Sequence, residues 1–178
     1  AIEYALGPID SKFGAMRAAA GHPTPFKLKY VEIGNENGLW TGFGGTREAY
    51  TQRYIRFYES IKAKYPAITT ISNTRVNARM EMVDDHFYNN PAWFWANAGL
   101  YDKSDRTGPK IYVGEYAVTT GCGTGNEAAA LAEAAFMIGM ERNSDIVTMS
   151  SYAPMFVHAR DRKWNPDMIV FDNSRAYG

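Results

Sequence analysis

Apolar positions along the chain follow two periods, 3.6 and 2, which take turns. Over residues 46–65, Tyr50, Tyr54, Phe57, Tyr58 and Ile61 recur at helical spacing, and Pro66 follows as a stop. Residues 11–20 predict a second helix, with Asp10 or Ser11 as N-cap and Gly21 then Pro23 as its end. Asn90-Pro91 opens a third through PAWFWANAG, in the favoured N-cap, N1 order. Residues 127–142 predict a fourth, alanine-rich and with so little polar surface that it should be well buried. Between the helices lie runs of β-formers: residues 27–34 (KLKYVEIG), 68–72, part of 80–88, 110–117 (KIYVGEYA) and 146–152 (IVTMSSY). Residues 154–178 predict an irregular loop carrying Trp164, then a short apolar piece, MIVFD.

Strands alternating with helices predict a parallel α/β sheet in one domain, with no repeat, low-complexity run or linker. The run from Glu36 to Glu115 covers three strand–helix units of roughly 26 residues, near the ~31 per unit of a closed eight-stranded barrel of ~250 residues. On that reading the chain supplies about five units of eight. An open doubly wound sheet fits the alternation equally well, so periodicity leaves both architectures standing.

Composition narrows the function classes. The 178 residues are 46% hydrophobic and 21% charged, with 19 basic against 19 acidic residues. A neutral chain without a basic stripe is not expected to bind nucleic acid. The least charged stretches carry Gly, Asn or Thr every few residues, so no membrane span is expected, and the chain reads as soluble. No basic segment followed by an apolar core opens the chain, which starts in what reads as mid-helix; compartment stays open. The single cysteine, Cys122, excludes an internal disulfide and a cysteine-based zinc site. Set in a glycine-rich loop, it reads as an incidental exposed thiol.

Two glutamates sit where a strand meets a loop, Glu36 in VEIGNEN and Glu115 in IYVGEYA. In parallel α/β folds the carboxyl ends of strands carry the site. Each alone reads most simply as half of an ion pair with a lysine or arginine at the rim. Together they suit a scissile glycosidic bond, one as acid and one as nucleophile or base. Other signals fail. The loop GCGTGN lacks the third glycine of a dinucleotide fingerprint and is followed by no strand-end acid, so no nucleotide cofactor is expected. Asp84, Asp85 and His86 are adjacent on a strand, point to alternate faces and lack ligand spacing, so no metal is expected. There is no G-x-S-x-G elbow.

An asparagine directly before a strand-end glutamate is the pattern of the large clan of retaining glycosidases built on eight-stranded barrels. KLKYVEIGNEN, DDHFYNNP, KIYVGEYA and WNPDMIVFDNSRAYG, in that order, resemble the α-L-arabinofuranosidases of glycoside hydrolase family 51 over essentially the whole chain. The resemblance implies a partial (β/α)8 TIM barrel spanning the fourth to eighth strands, with the first three strands and a β-sandwich domain outside this sequence. It makes Glu36 the general acid/base and Glu115 the nucleophile, converging on one furanose ring. It makes Asn35 the partner of the sugar 2-hydroxyl and Tyr88 a donor to Glu115, with His86 nearby in the pocket. His86 and Tyr88 are two apart on a strand and so share a face. Of the four tryptophans, Trp40 and Trp164 fall in rim loops and are the candidates to stack on sugar, while Trp93 and Trp95 suit a core. Glu32 should make a structural ion pair. The implied substrate is arabinan or arabinoxylan, cleaved from the chain end without a cofactor. A related barrel glycosidase acting on xylan or β-glucan would share both glutamates. Five strands leave unpaired edges, so the isolated chain is expected to be inactive or to form a homo-oligomer.

Overall fold

The computed structural model describes residues 1–39 and 45–177. It divides into two compact units, Ala1–Ser72 with Val76–Arg79, and Asn73–Arg75 with Met80–Gly178. In both, parallel strands alternate with helices, and the second adds a short mixed sheet at its end.

The first unit holds α1 (Ile2–Leu6), α2 (Lys12–Ala19), β1 (Tyr30–Ile33), α3 (Arg47–Lys64) and β2 (Thr69–Ser72). Strands β1 and β2 pair in parallel from Tyr30 opposite Thr69 to Ile33 opposite Ser72. Thr46 caps α3 by accepting the Ala49 N–H, and Ser11 caps α2 by accepting the Gly14 N–H. At the other end of α3, the Lys62 ammonium donates to the carbonyls of Pro66 and Ile68. Tyr50, Tyr54 and Ile61 form the buried stripe of α3, whereas Phe57 is exposed. The Tyr50 hydroxyl donates to the Ile33 carbonyl at 2.7 Å and lies 3.1 Å from the Ser72 hydroxyl, tying the carboxyl ends of both strands to the helix. Arg17 is fully buried and donates to five carbonyls, those of Tyr4, Ala5, Gly7, His22 and Pro23. It thereby fastens α1 and the turn after α2 to one another.

The second unit runs β3 (Met82–Asn89), α4 (Pro91–Ala96), β4 (Lys110–Val118), α5 (Glu127–Arg142) and β5 (Val147–Ser150). It continues with β6 (Phe156–His158), β7 (Ile169–Phe171) and β8 (Ala176–Tyr177). Strands β3, β4 and β5 are parallel neighbours in that order. Phe136 of α5 is the hub of the core, edge-on to Phe87 and Phe94 at 5.6 and 5.3 Å and in contact with Trp93 and Tyr116. Asn90 caps α4 by accepting the Trp93 N–H, and Asn126 caps α5 by accepting the Ala129 N–H.

Four expectations need correction. The strand expected over residues 27–34 pairs only at Tyr30–Ile33, because its partner β2 is itself four residues long. Helix α5 is not buried all round: Ala129, Ala132, Phe136 and Met140 face the core at helical spacing, while Leu131, Met137 and Ile138 are exposed. The segment after residue 154 is more regular than its sequence suggests, since β6 pairs in parallel and β8 antiparallel with β7. Cys122 is buried, not exposed. Its thiol donates to the Val118 carbonyl at 3.0 Å, and burial pushes its pKa up.

Candidate active site

In the first unit the chain leaves β1 at Gly34, whose φ of +90° puts it in the glycine-favoured region. Asn35 follows, exposed, and then Glu36, half-buried, with φ +55°. Glu36 is the one non-glycine residue at positive φ among the described residues. A long side chain in the left-handed region costs on the order of 1 kcal/mol. Such conformations gather at functional sites, and this one falls on a candidate carboxylate. Glu32, one turn of the pleat before Gly34, is half-buried on β1. Trp40 lies outside the described residues.

The second unit brings four of the expected residues together: His86, Tyr88, Glu115 and Trp164. The register between β3 and β4 makes this possible. Asp84 stands opposite Tyr112 and His86 opposite Glu115, so two steps along β3 match three along β4. The extra residue is a β-bulge, a device that re-aims side chains beside active sites. It carries Glu115 onto the face shared by Asp84, His86 and Tyr88. The Tyr88 hydroxyl donates to Glu115 Oε2 at 2.5 Å, and His86 Nδ1 lies 3.5 Å from the same oxygen. The other ring nitrogen, Nε2, is 2.7 Å from Asp84 Oδ2. A hydroxyl hydrogen bond this short to a carboxylate is of the charge-assisted kind. Trp164 packs at a steep angle against Tyr88, ring centroids 5.9 Å apart, and is 49% exposed, so about half of the residue is open to solvent. Trp93 is in the aromatic core around Phe136, and Trp95 is exposed on α4.

Asp85 points the other way from its two neighbours. It accepts from the Arg75 guanidinium and from the Tyr101 hydroxyl, whose pKa burial drives far above the ordinary phenol range. Asp84 and His86 therefore belong to one network and Asp85 to another. Two residues were given no part in this site from the sequence. Asp84, weighed only as a metal ligand, could have been, because D-x-H-x-Y places three polar side chains on one face of a strand. Glu133 carried no such signal. It is a half-buried glutamate on α5 that accepts from the Val118 N–H at 2.6 Å and the Tyr152 hydroxyl at 3.1 Å, with its pKa raised by desolvation.

The likeness to known proteins runs the length of the chain. Residues 1–106 match the family model of the alpha-L-arabinofuranosidase 1 domain, and residues 114–178 that of the alpha-L-arabinofuranosidase C-terminal domain. Alpha-L-arabinofuranosidase 1 of Arabidopsis thaliana is 46% identical over 99% of this chain and 26% of its own length. The extracellular exo-alpha-L-arabinofuranosidase of Streptomyces chartreusis is 41% identical, over 99% of this chain and 22% of its own length. Among solved structures, an arabinose-bound MgGH51 α-L-arabinofuranosidase superposes with a TM-score of 0.86 at 35% identity, over 98% of this chain and 30% of that one. The Thermotoga maritima α-L-arabinofuranosidase arabinose complex shares the fold, with a TM-score of 0.74 at 18% identity over 98% of this chain and 42% of that one. The chain thus spans about a quarter of the length of the curated relatives it matches. By sequence along its whole length and by fold, the chain belongs to the α-L-arabinofuranosidases of glycoside hydrolase family 51.

Proposed function

We propose that this chain supplies the acid/base and the nucleophile of a retaining, exo-acting α-L-arabinofuranosidase, as the fourth-to-eighth-strand part of a (β/α)8 barrel. The observation that carries the reading is the strand-end carboxylate of Glu115, held by the Tyr88 hydroxyl at 2.5 Å with His86 beside it. Glu115 attacks the anomeric carbon while Glu36 protonates the departing oxygen. The covalent glycosyl-enzyme forms, Glu36 then removes a proton from water, and the water displaces Glu115 with overall retention. Asn35, next to Glu36, hydrogen-bonds the sugar 2-hydroxyl, a contact that strengthens as the ring becomes oxocarbenium-like. Trp164 offers its exposed part to the sugar, and Trp40 is the second stacking candidate.

Arabinan and arabinoxylan side chains are the substrates this reading favours, and the arabinose bound by the 35%-identical MgGH51 enzyme supports the sugar. The test compares hydrolysis of aryl α-L-arabinofuranoside with that of aryl β-xyloside by the complete protein carrying this chain. The expected result is a kcat/KM at least about 100-fold higher for the arabinofuranoside. Equal rates, or a preference for the xyloside, would move the assignment to a xylan- or β-glucan-type glycosidase. The chain expressed alone is expected to show little or no turnover, or to self-associate.

A further inference from the structure

Asp84 is a carboxylate only 4% exposed, and a charge that deep must be matched. Each of its oxygens has a partner. Oδ1 accepts the Gly114 N–H at 2.7 Å, and Oδ2 meets His86 Nε2 at 2.7 Å. The first contact is a product of the bulge, which takes a β4 amide out of the strand ladder and leaves it to a side chain. It also explains the glycine of VGEY: a Cβ on Gly114 would collide with both oxygens of Asp84.

The second contact decides the state of the imidazole. With a carboxylate against Nε2, the proton sits on Nε2 and is donated to Asp84. Nδ1 then faces Glu115 Oε2 at 3.5 Å. A neutral ring would aim a lone pair at that oxygen. A second proton on Nδ1 turns the repulsion into attraction. The ring is 5% exposed, so water does little to weaken either effect. Within the second unit, the contacts of the ring include Asp84 on its own strand and Glu115 on β4, both negatively charged, and the Tyr88 proton beside them is given to Glu115.

We propose that Asp84 is a positioning residue that holds His86 as an imidazolium between two carboxylates, placing a buried cation beside the nucleophile. The role in turnover rests on Glu115 being that nucleophile; the charge on His86 does not. Both Tyr88 and His86 address Oε2, which leaves Oε1 for the attack. When Glu115 becomes an ester and loses its charge, Asp84 still neutralises the ring, so no buried cation is stranded in the intermediate.

This chain has three histidines, so in the complete protein with this segment alone 15N-labelled the imidazole resonances can be assigned by substituting His22 and His158 in turn. His86 is expected to carry protons on both ring nitrogens at pH 7. It should still carry both above the ~6.5 at which an unperturbed histidine loses one. Asp84→Asn keeps an acceptor for Gly114 but presents an amide N–H to Nε2. That variant is expected to leave His86 neutral at pH 7 with its proton on Nδ1, and to lower kcat about 10- to 100-fold with a smaller change in KM. The wild-type spectrum needs no variant to fold: a neutral ring at pH 7, or a titration near 6.5, overturns the proposal. If Asp84→Asn folds and leaves the His86 titration where it was, Asp84 does not hold the charge. Should Glu115→Gln keep its turnover, Glu115 is not the nucleophile and the role in turnover falls, while the spectrum still decides the charge.

Discussion

Replacing Glu115 by Gln is expected to cut kcat with an aryl arabinofuranoside by on the order of 10^4-fold or more in the complete protein. The change is nearly isosteric, and the amide oxygen can still accept the Tyr88 hydroxyl, so the sheet and the aromatic pair of Tyr88 with Trp164 should survive. What disappears is the ionised oxygen that bonds to the anomeric carbon. An amide is too weak a nucleophile to replace it, and no other carboxylate on this face of β3 and β4 is free: Asp84 is committed to Gly114 and His86. Sugar binding should change far less than kcat, which separates a lost nucleophile from a lost fold. Residual activity within about tenfold of wild type would remove Glu115 from the chemistry.

The largest effect on stability is expected from Arg17→Ala. A fully buried guanidinium donating to five backbone carbonyls does in one side chain what several capping residues would otherwise do. Truncation strips partners from the carbonyls that close α1 and from those of the turn at His22 and Pro23, at about 1–3 kcal/mol for each group that stays dry. With some of them reached by water, the expected loss is at least about 3 kcal/mol, read as a fall in the urea midpoint of the first unit. Arg17→Lys should recover only part of it, because one ammonium cannot span the fork of positions that the planar guanidinium reaches. A loss under about 1 kcal/mol in the alanine variant would show that these carbonyls are satisfied in other ways.

The parts of the fold that were legible share a physical signature. Helices α2, α3, α4 and α5 start at Ser11, Thr46, Asn90 and Asn126, each of which accepts a first-turn N–H. Such local chemistry is written in consecutive residues. Strands were legible as apolar runs, but their ends were not. Lys27 and Lys29 look like strand, yet pairing depends on a partner about forty residues away that is only four long. Strands β6 and β8, of three and two residues, are shorter than any period that could reveal them.

At the site, Glu115, Tyr88 and His86 were legible from motif and strand parity. The bulge that brings them together was not, because it is a property of two strands at once. The same holds for Asp84, set aside with Asp85 and His86 as lacking metal-ligand spacing, and for Cys122, whose glycine neighbours suggested exposure while Val118 draws the thiol inward. Trp164 and Trp93 could be told apart only by surroundings, one beside Tyr88 and exposed, the other packed on Phe136.

The central claim is that Glu115 becomes covalently arabinosylated while Glu36 moves the proton. Its most direct test is Glu36→Ala in the complete protein, mixed with an arabinofuranoside of a strongly acidic phenol. Such a leaving group departs without protonation, but water is no longer activated, so the glycosyl-enzyme should accumulate. Peptide mass spectrometry after rapid quenching is expected to find one pentosyl group esterified to Glu115, with azide restoring turnover. A pentosyl group on any other residue, or none while the phenol is released in a single unslowed phase, would contradict the account.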